Sequence, residues 1–197
     1  SGAQYLGGTT DITRTIPLGE IPGSYRRDYT LVLQAFIRLH AARFPEGCTG
    51  KSLDVLSRQV MWENYLDYKH GTGHGVGCYL NDHEGPTNFA NARVPMEEGM
   101  VISIEPGIYR AGMLGVRTEN LVTVVRDKRS DEFGQFFRFE PLTLCPINTQ
   151  AIETKMLSRS EVAWLNQYHS YVFEQLSPML EPEERKWLGA ATAPMHI

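Results

Sequence analysis

At 197 residues, with 42% hydrophobic and 21% charged side chains, the chain holds enough apolar material for one ordinary globular domain and too much for bulk disorder. A formal charge of −4 leaves no basic footprint for nucleic acid, because the one short cluster, Arg126, Lys128 and Arg129, is interrupted by Asp127. No apolar run approaches the roughly 18 residues that cross a bilayer, and Cys48, Cys78 and Cys145, an odd count without ligand-like spacing, suit reduced thiols in a cytoplasmic protein.

The opening SGAQYLGGTTDITRTIP carries neither Met nor a secretory pattern and reads as the start of a piece of a longer protein. Thr9, Asp11, Thr13 and Thr15 recur at the period of a strand, so one polar face collects there. Apolar spacing predicts a helix over 29–43, ended by Pro45 and Gly47, and a second over 51–65 with Thr49 or Ser52 at its cap and Leu53, Leu56, Val60 and Trp62 on its apolar side. Residues 70–85, HGTGHGVGCYLNDHEG, have no helical period. The glycines at 71, 73, 75 and 77 predict a backbone that lies close against something, here taken as a ligand.

Two strands follow, MVISIEPGIY and VRTENLVTVV, joined by the turn-rich AGMLG as an antiparallel hairpin. Val101, Ser103 and Glu105 share a face of the first, and Arg117 and Glu119 share a face of the second. A further strand is expected over 136–147. The tail is helical: Ser158 and Glu161 form a capping-box pattern before Val162, Leu165, Tyr168, Val172 and Leu176, and Pro182 opens a last short helix ending near Gly189.

Carboxylates on strand faces are costly toward a core unless they are paired or hold a metal. Asp11, Glu105 and Glu119 each fit an ordinary reading alone, Glu119 as a partner of Arg117 and Glu105 as a turn cap; together they favour a metal site. His74 adds a nitrogen. Carboxylates with one imidazole suit a hard or borderline divalent cation, and bridging carboxylates hold two cations about 3.5–4 Å apart. His70 and His83 flank His74 and are candidates for substrate contacts or proton movement. His40, His169 and His196 offer no such pattern. A phosphate-loop reading of the glycines fails, because Gly-Lys-Ser/Thr and a following helix are missing.

The runs GTTDITRT, HGTGHGVGCYLNDHEGP, SIEPGIY and GVRTEN, in this order, resemble the Xaa-Pro aminopeptidases over residues 1 to about 125. The tail from Phe139 to Met195, with EPLTLCPI, resembles the C-terminal extension of their longer, three-domain members. The resemblance implies an α+β pita-bread fold, incomplete at its N-terminal side, with catalytic-domain residues at 1–138 and a helical extension at 139–197. It implies hydrolysis of the bond between an N-terminal residue and a following proline, by hydroxide activated at a dinuclear site. Five ligands in the order Asp, Asp, His, Glu, Glu are expected, of which Asp11, His74, Glu105 and Glu119 match the last four. The first aspartate, which in the family directly precedes the segment matching Ser1 to Tyr5, has no counterpart, so activity of the isolated piece is not expected to follow from that of the family.

By the same resemblance Glu105 also moves the proton, His70 and His83 orient substrate, and Arg117 holds the bridging Glu119. Tyr109 is a weaker candidate. The expected cofactor is a pair of divalent ions in the full enzyme, Mn²⁺ with Zn²⁺ or Co²⁺ as alternatives, and one ion or none in this piece. The expected partners are peptides with proline in second position and a second copy of the parent protein, with no nucleic acid and no membrane, in the cytoplasm. A non-catalytic pita-bread binding module and a prolidase-like dipeptidase remain the alternatives.

Overall fold

The structure, a computed structural model, describes residues 1–196, so that Ile197 of the expected extension lies outside the described residues. The chain opens with a short antiparallel hairpin, β1 (Gly2–Tyr5) and β2 (Gly8–Asp11). Helix α1 (Gly23–His40), strand β3 (Arg43–Pro45) and helix α2 (Gly50–Trp62) follow. A long irregular stretch leads to β4 (Val101–Ile104), β5 (Gly107–Arg110), β6 (Leu114–Arg117), β7 (Asn120–Asp131) and β8 (Gly134–Pro141). Helices α3 (Arg159–Leu176) and α4 (Pro182–Ala191) close the chain. The main sheet is antiparallel in the order β3-β8-β7-β4.

Several boundaries differ from expectation, each for a local reason. Helix α1 begins at Gly23 rather than Tyr29, directly after Pro22, through polar residues that hide its periodicity, and it stops at His40 because Phe44 pairs with Phe137 in β3. Helix α2 ends at Trp62, short of Tyr65; Thr49 caps it by accepting the Ser52 N–H. Trp62 points outward at 51% exposure, and Met61 fills the core in its place. Strand β8 stops at Pro141, which has no N–H to extend a ladder, so 142–147 is not strand. The expected division at 138/139 therefore falls inside β8. The capping box at Ser158 and Glu161 forms as expected, and α4 runs slightly beyond Gly189.

The core lies between α1, the main sheet and α3, where Leu33, Phe36, Leu39, Ile102, Ile104, Val122, Val124 and Leu165 are wholly or almost wholly buried. Each such side chain is worth about 1.5–3 kcal/mol of transfer free energy. Asp28, buried in α1, receives two hydrogen bonds from the Arg110 guanidinium at 2.5 and 3.0 Å, which pins α1 to β5 and compensates the buried carboxylate.

The expected hairpin forms as two successive ladders rather than one. β4 pairs with β7 up to Ile104 and Asn120, and β5 pairs with β6 from Gly107 and Arg117. Glu105-Pro106 and Thr118-Glu119 fall between the two. Pairing between the two strands lapses where both glutamates stand, and their N–H groups bond instead to Thr72 and Thr13 of other segments.

Candidate metal centre

His74 reaches this break on an extended segment that runs along the free edge of β4. Glu105 N–H donates to Thr72 O at 2.7 Å, Ser103 N–H to His74 O at 2.8 Å, and Val76 N–H to Val101 O at 3.2 Å. The glycines make that approach, to protein rather than to a ligand as expected. A Cβ at Gly73 would lie 1.8 Å from Ser103 O, and one at Gly75 would lie 2.3 Å from Glu84 O. His74 Nδ1–H donates to the Gly75 carbonyl at 2.9 Å, which turns Nε2 inward.

There Nε2 stands 3.3 Å from Glu105 Oε1 and 3.6 Å from Asp11 Oδ2, in ion-pairing range but without a well-formed hydrogen bond. One ligand atom each from Asp11, His74 and Glu119 lies within 4.8 Å of the others. Asp11 comes from the end of β2, and the bridge between Thr13 and Glu119 aligns the two carboxylate-bearing segments. Glu119 is 1% exposed; Thr13 Oγ1–H donates to its Oε2 at 2.5 Å, while its Oε1 is buried without a partner.

The electrostatics carry the mark of crowded anions. Burial, with Glu105 and Asp11 nearby, pushes the Glu119 carboxyl up to about 7 despite the opposing Thr13 hydrogen bond. Its contact with His74 holds Asp11 below the ordinary carboxylate range against the cost of burial. Burial disfavours the His74 imidazolium, yet Asp11 and Glu105 outweigh it and raise the group to about 10. The inward-facing Nε2 is thus a place where positive charge is strongly favoured. Asp82, missed in the sequence, adds a carboxylate beside Asp11, and its own carboxyl is raised by burial and by Asp11. It forms a second convergent group with His74 and His83.

Arg117 neutralises part of this charge, but its carboxylate partner is Glu105 Oε2 at 3.1 Å rather than Glu119. Its Nε–H donates to Tyr109 Oη at 2.8 Å, and Tyr109 Oη lies 2.9 Å from His70 Nε2. Because His70 Nδ1 faces the Gly71 carbonyl at 2.8 Å, the tyrosine hydroxyl donates to His70. His83, exposed, stacks on the His74 ring with centroids 3.7 Å apart and planes inclined by 22°. The structure therefore brings together every residue singled out from the sequence and links the flanking His70 to Glu105 through Tyr109 and Arg117. His40 and His169 are buried outside this set.

The donor set fits a divalent cation. Four carboxylates, of Asp11, Asp82, Glu105 and Glu119, face the Arg117 guanidinium and the His74 and His83 imidazoles, and three buried atoms, His74 Nε2, Glu119 Oε1 and Asp82 Oδ1, lack protein partners. Arg14 was missed and Thr13 was noted only as part of the polar strand face, since their roles arise from contacts more than a hundred residues away. A polar stretch running into TRT was the only sign.

Comparison with known proteins agrees with this geometry. Residues 1–126 match the model of metallopeptidase family M24, and residues 135–195 match the C-terminal region of M24 peptidases. The chain is 45% identical to a probable Xaa-Pro aminopeptidase P of Tuber melanosporum, over 99% of this chain and 33% of the relative. A probable Xaa-Pro aminopeptidase P of Paracoccidioides lutzii gives the same figures. The chain thus spans about a third of the length of the curated relatives it matches. Among solved structures, the X-prolyl aminopeptidase of Caenorhabditis elegans, described as a cytosolic enzyme with a di-nuclear active site, superposes with TM-score 0.94 at 40% identity, covering 98% of this chain and 32% of that one. The prolidase of Pyrococcus furiosus is 38% identical with TM-score 0.57, covering 72% of this chain and 39% of its own. The fold is the C-terminal part of the pita-bread fold of these enzymes.

Proposed function

This chain belongs to metallopeptidase family M24, and we propose that it supplies most of the active site of a metal-dependent aminopeptidase that releases an N-terminal residue preceding proline. The observation that carries the reading is the convergence of Asp11, His74 and Glu119 around two unpartnered buried atoms, with Glu105 against the same imidazole. Asp11, His74, Glu105 and Glu119 are the residues that would hold the ions. Two divalent ions held there would lower the pKa of water and polarise the scissile carbonyl. Mn²⁺ is the ion proposed, on the hard oxygen-rich donor set.

The protein groups divide the remaining work. Glu105 is the proposed proton carrier, and Arg117, 3.1 Å from its Oε2, holds the carboxylate in place. His70, oriented by Tyr109, and His83, stacked and exposed beside His74, are the groups proposed to orient the peptide. The register of β1 on β2 supports a completed site in a longer protein. Gly2 lies opposite Asp11, so the residue before Ser1 would fall opposite Thr13, on the same face as Asp11. An aspartate there would supply the fifth ligand.

We assign 1–138 to the catalytic domain and 139–197 to an extension whose first residues, to Pro141, complete the domain's main sheet, place the parent protein in the cytoplasm by analogy with its cytosolic relative, and expect it to act as a homodimer on peptides with proline in second position. Coverage of the extension by the aminopeptidase favours that activity over a dipeptidase. The test is release of the first residue from Xaa-Pro-Xaa peptides by the full-length protein before and after chelation, with calorimetric titration of Mn²⁺. Metal-dependent release is expected; a full-length protein that binds no Mn²⁺ and releases nothing would overturn the reading, and cleavage confined to dipeptides would make it a prolidase.

A further inference from the structure

Arg14 is the most heavily bonded side chain outside the ligand set. Its Nε donates to Pro146 O at 3.0 Å, and one terminal nitrogen donates to Thr13 O at 2.9 Å and Glu119 O at 2.6 Å. The other reaches Asn120 Oδ1 at 2.7 Å, Cys145 O at 2.8 Å and Tyr168 Oη at 3.0 Å. Among the described residues no carboxylate lies in ion-pairing range of it. A guanidinium placed among neutral acceptors serves geometry rather than charge pairing, because its five N–H groups form a rigid planar fork.

Its acceptors belong to three parts of the chain: the segment after β2, the start of β7, and the extension. Thr13 and Glu119 form an isolated bridge, not a ladder, so the spacing of Asp11 against Glu119 rests on one backbone hydrogen bond, Glu119 N to Thr13 O at 3.0 Å, on the Thr13 and Thr15 hydroxyls that bond Glu119 Oε2 and the Arg117 backbone, and on the arginine that binds a carbonyl of each segment and, among the described residues, alone ties both to the extension. Cys145, Pro146 and Tyr168 belong to the extension. Tyr168 is buried in α3, stacks on Trp164, and lies 2.9 Å from the Thr143 and Cys145 carbonyls.

We propose that Arg14 is a positioning residue that transmits the docking of the C-terminal extension to the metal site, fixing the separation of the proposed ligands Asp11 and Glu119. The extension then acts as a strut for the ligands and not only as a cover for the core. This rests on the function proposed above. A loss of spacing affects the bound cations and the step they assist more than it affects peptide binding.

The test compares Arg14→Lys, which keeps the charge but not the fork, and Tyr168→Phe, which removes one hydroxyl, with the control Tyr29→Phe. Tyr29 donates to Asn148 O at 2.5 Å and so also ties the extension down, but it does not touch Arg14. In the full-length protein, Mn²⁺ affinity by calorimetry and kcat and KM on an Xaa-Pro peptide are the readouts, with circular dichroism confirming the fold. Arg14→Lys and Tyr168→Phe are expected to weaken Mn²⁺ binding and lower kcat about tenfold with KM within twofold, while Tyr29→Phe lowers Tm and leaves affinity unchanged. Folded variants that keep wild-type affinity and kcat overturn the coupling alone. Equal weakening by Tyr29→Phe reduces Arg14 to general stability and also overturns it. A wild-type protein that binds no metal overturns the function and the coupling together.

Discussion

Replacing Glu119 by glutamine should make the metal-free protein more stable while destroying its response to metal. Burial and neighbouring carboxylates raise this carboxyl from 4.5 to about 7 in the folded chain. A raised carboxyl means that the folded state holds its proton more tightly than the unfolded state does, so stability falls as pH rises from about 4.5 through about 7 and stays low above that. At about 1.4 kcal/mol for each tenfold in proton affinity, the ionised group costs the fold about 3 kcal/mol at pH 8. Glutamine is neutral, fits the same space, and can still accept the Thr13 hydroxyl through its amide oxygen. For a chain of this length 1 kcal/mol shifts Tm by roughly 2–4 °C, so Glu119→Gln should melt about 6–12 °C higher than wild type in EDTA at pH 8, and the gap should close near pH 5. Added Mn²⁺ at a hundredfold excess over its Kd should stabilise wild type by about 2.7 kcal/mol and the variant hardly at all. Scanning fluorimetry across pH 5–8, with and without Mn²⁺, measures all of this. An equal or lower Tm for metal-free Glu119→Gln at pH 8, or retained metal stabilisation, would refute the argument.

Other substitutions separate the parts of the site. His74→Ala removes the imidazole whose free nitrogen faces Asp11 and Glu105, and calorimetry should record at least a hundredfold loss of Mn²⁺ affinity, on the order of 3 kcal/mol. Tyr109→Phe cuts the link between Arg117 and His70 without touching a proposed ligand; peptide assays should show kcat reduced about tenfold at unchanged Mn²⁺ affinity, on the general acid–base scale. Gly73→Ala places a methyl group 1.8 Å from Ser103 O, and the chain should lose more than about 4 kcal/mol of stability or fail to fold, as chemical denaturation would register.

The sequence was most legible where a residue type is expensive in its setting. Asp11, Glu105 and Glu119 stand out because charged groups rarely occupy strand faces, and His74 because glycines surround it. What eluded sequence reading depends on distance along the chain. The Arg117 guanidinium was assigned to its strand neighbour Glu119, yet the lapse between ladders turns it to Glu105, and no local pattern encodes that lapse except Pro106. Arg14 and Asp82 gain their meaning only when residues far apart meet. Among the elements, α1 extended past its visible periodicity because its added N-terminal residues are held by polar contacts, Arg26 to the Gln150 carbonyl and Arg27 to Asn64, and not by an apolar face, and β8 ended early at a proline that the apolar run 136–147 had masked.

The segment from Thr72 to Val76 also has a bearing on solubility. β4 is the outermost strand of the main sheet, and its outward N–H and C=O groups would be an open template for another chain were they not already paired with Thr72, His74 and Val76. The opposite margin is guarded more simply, by a three-residue strand ending in Pro45. Damage to the histidine-bearing loop would therefore uncover the apolar VISI margin at the same time as it removes a ligand. Inactive variants of this loop should form intermolecular sheet and precipitate, whereas inactive variants at Tyr109, which leave that margin covered, should stay dispersed.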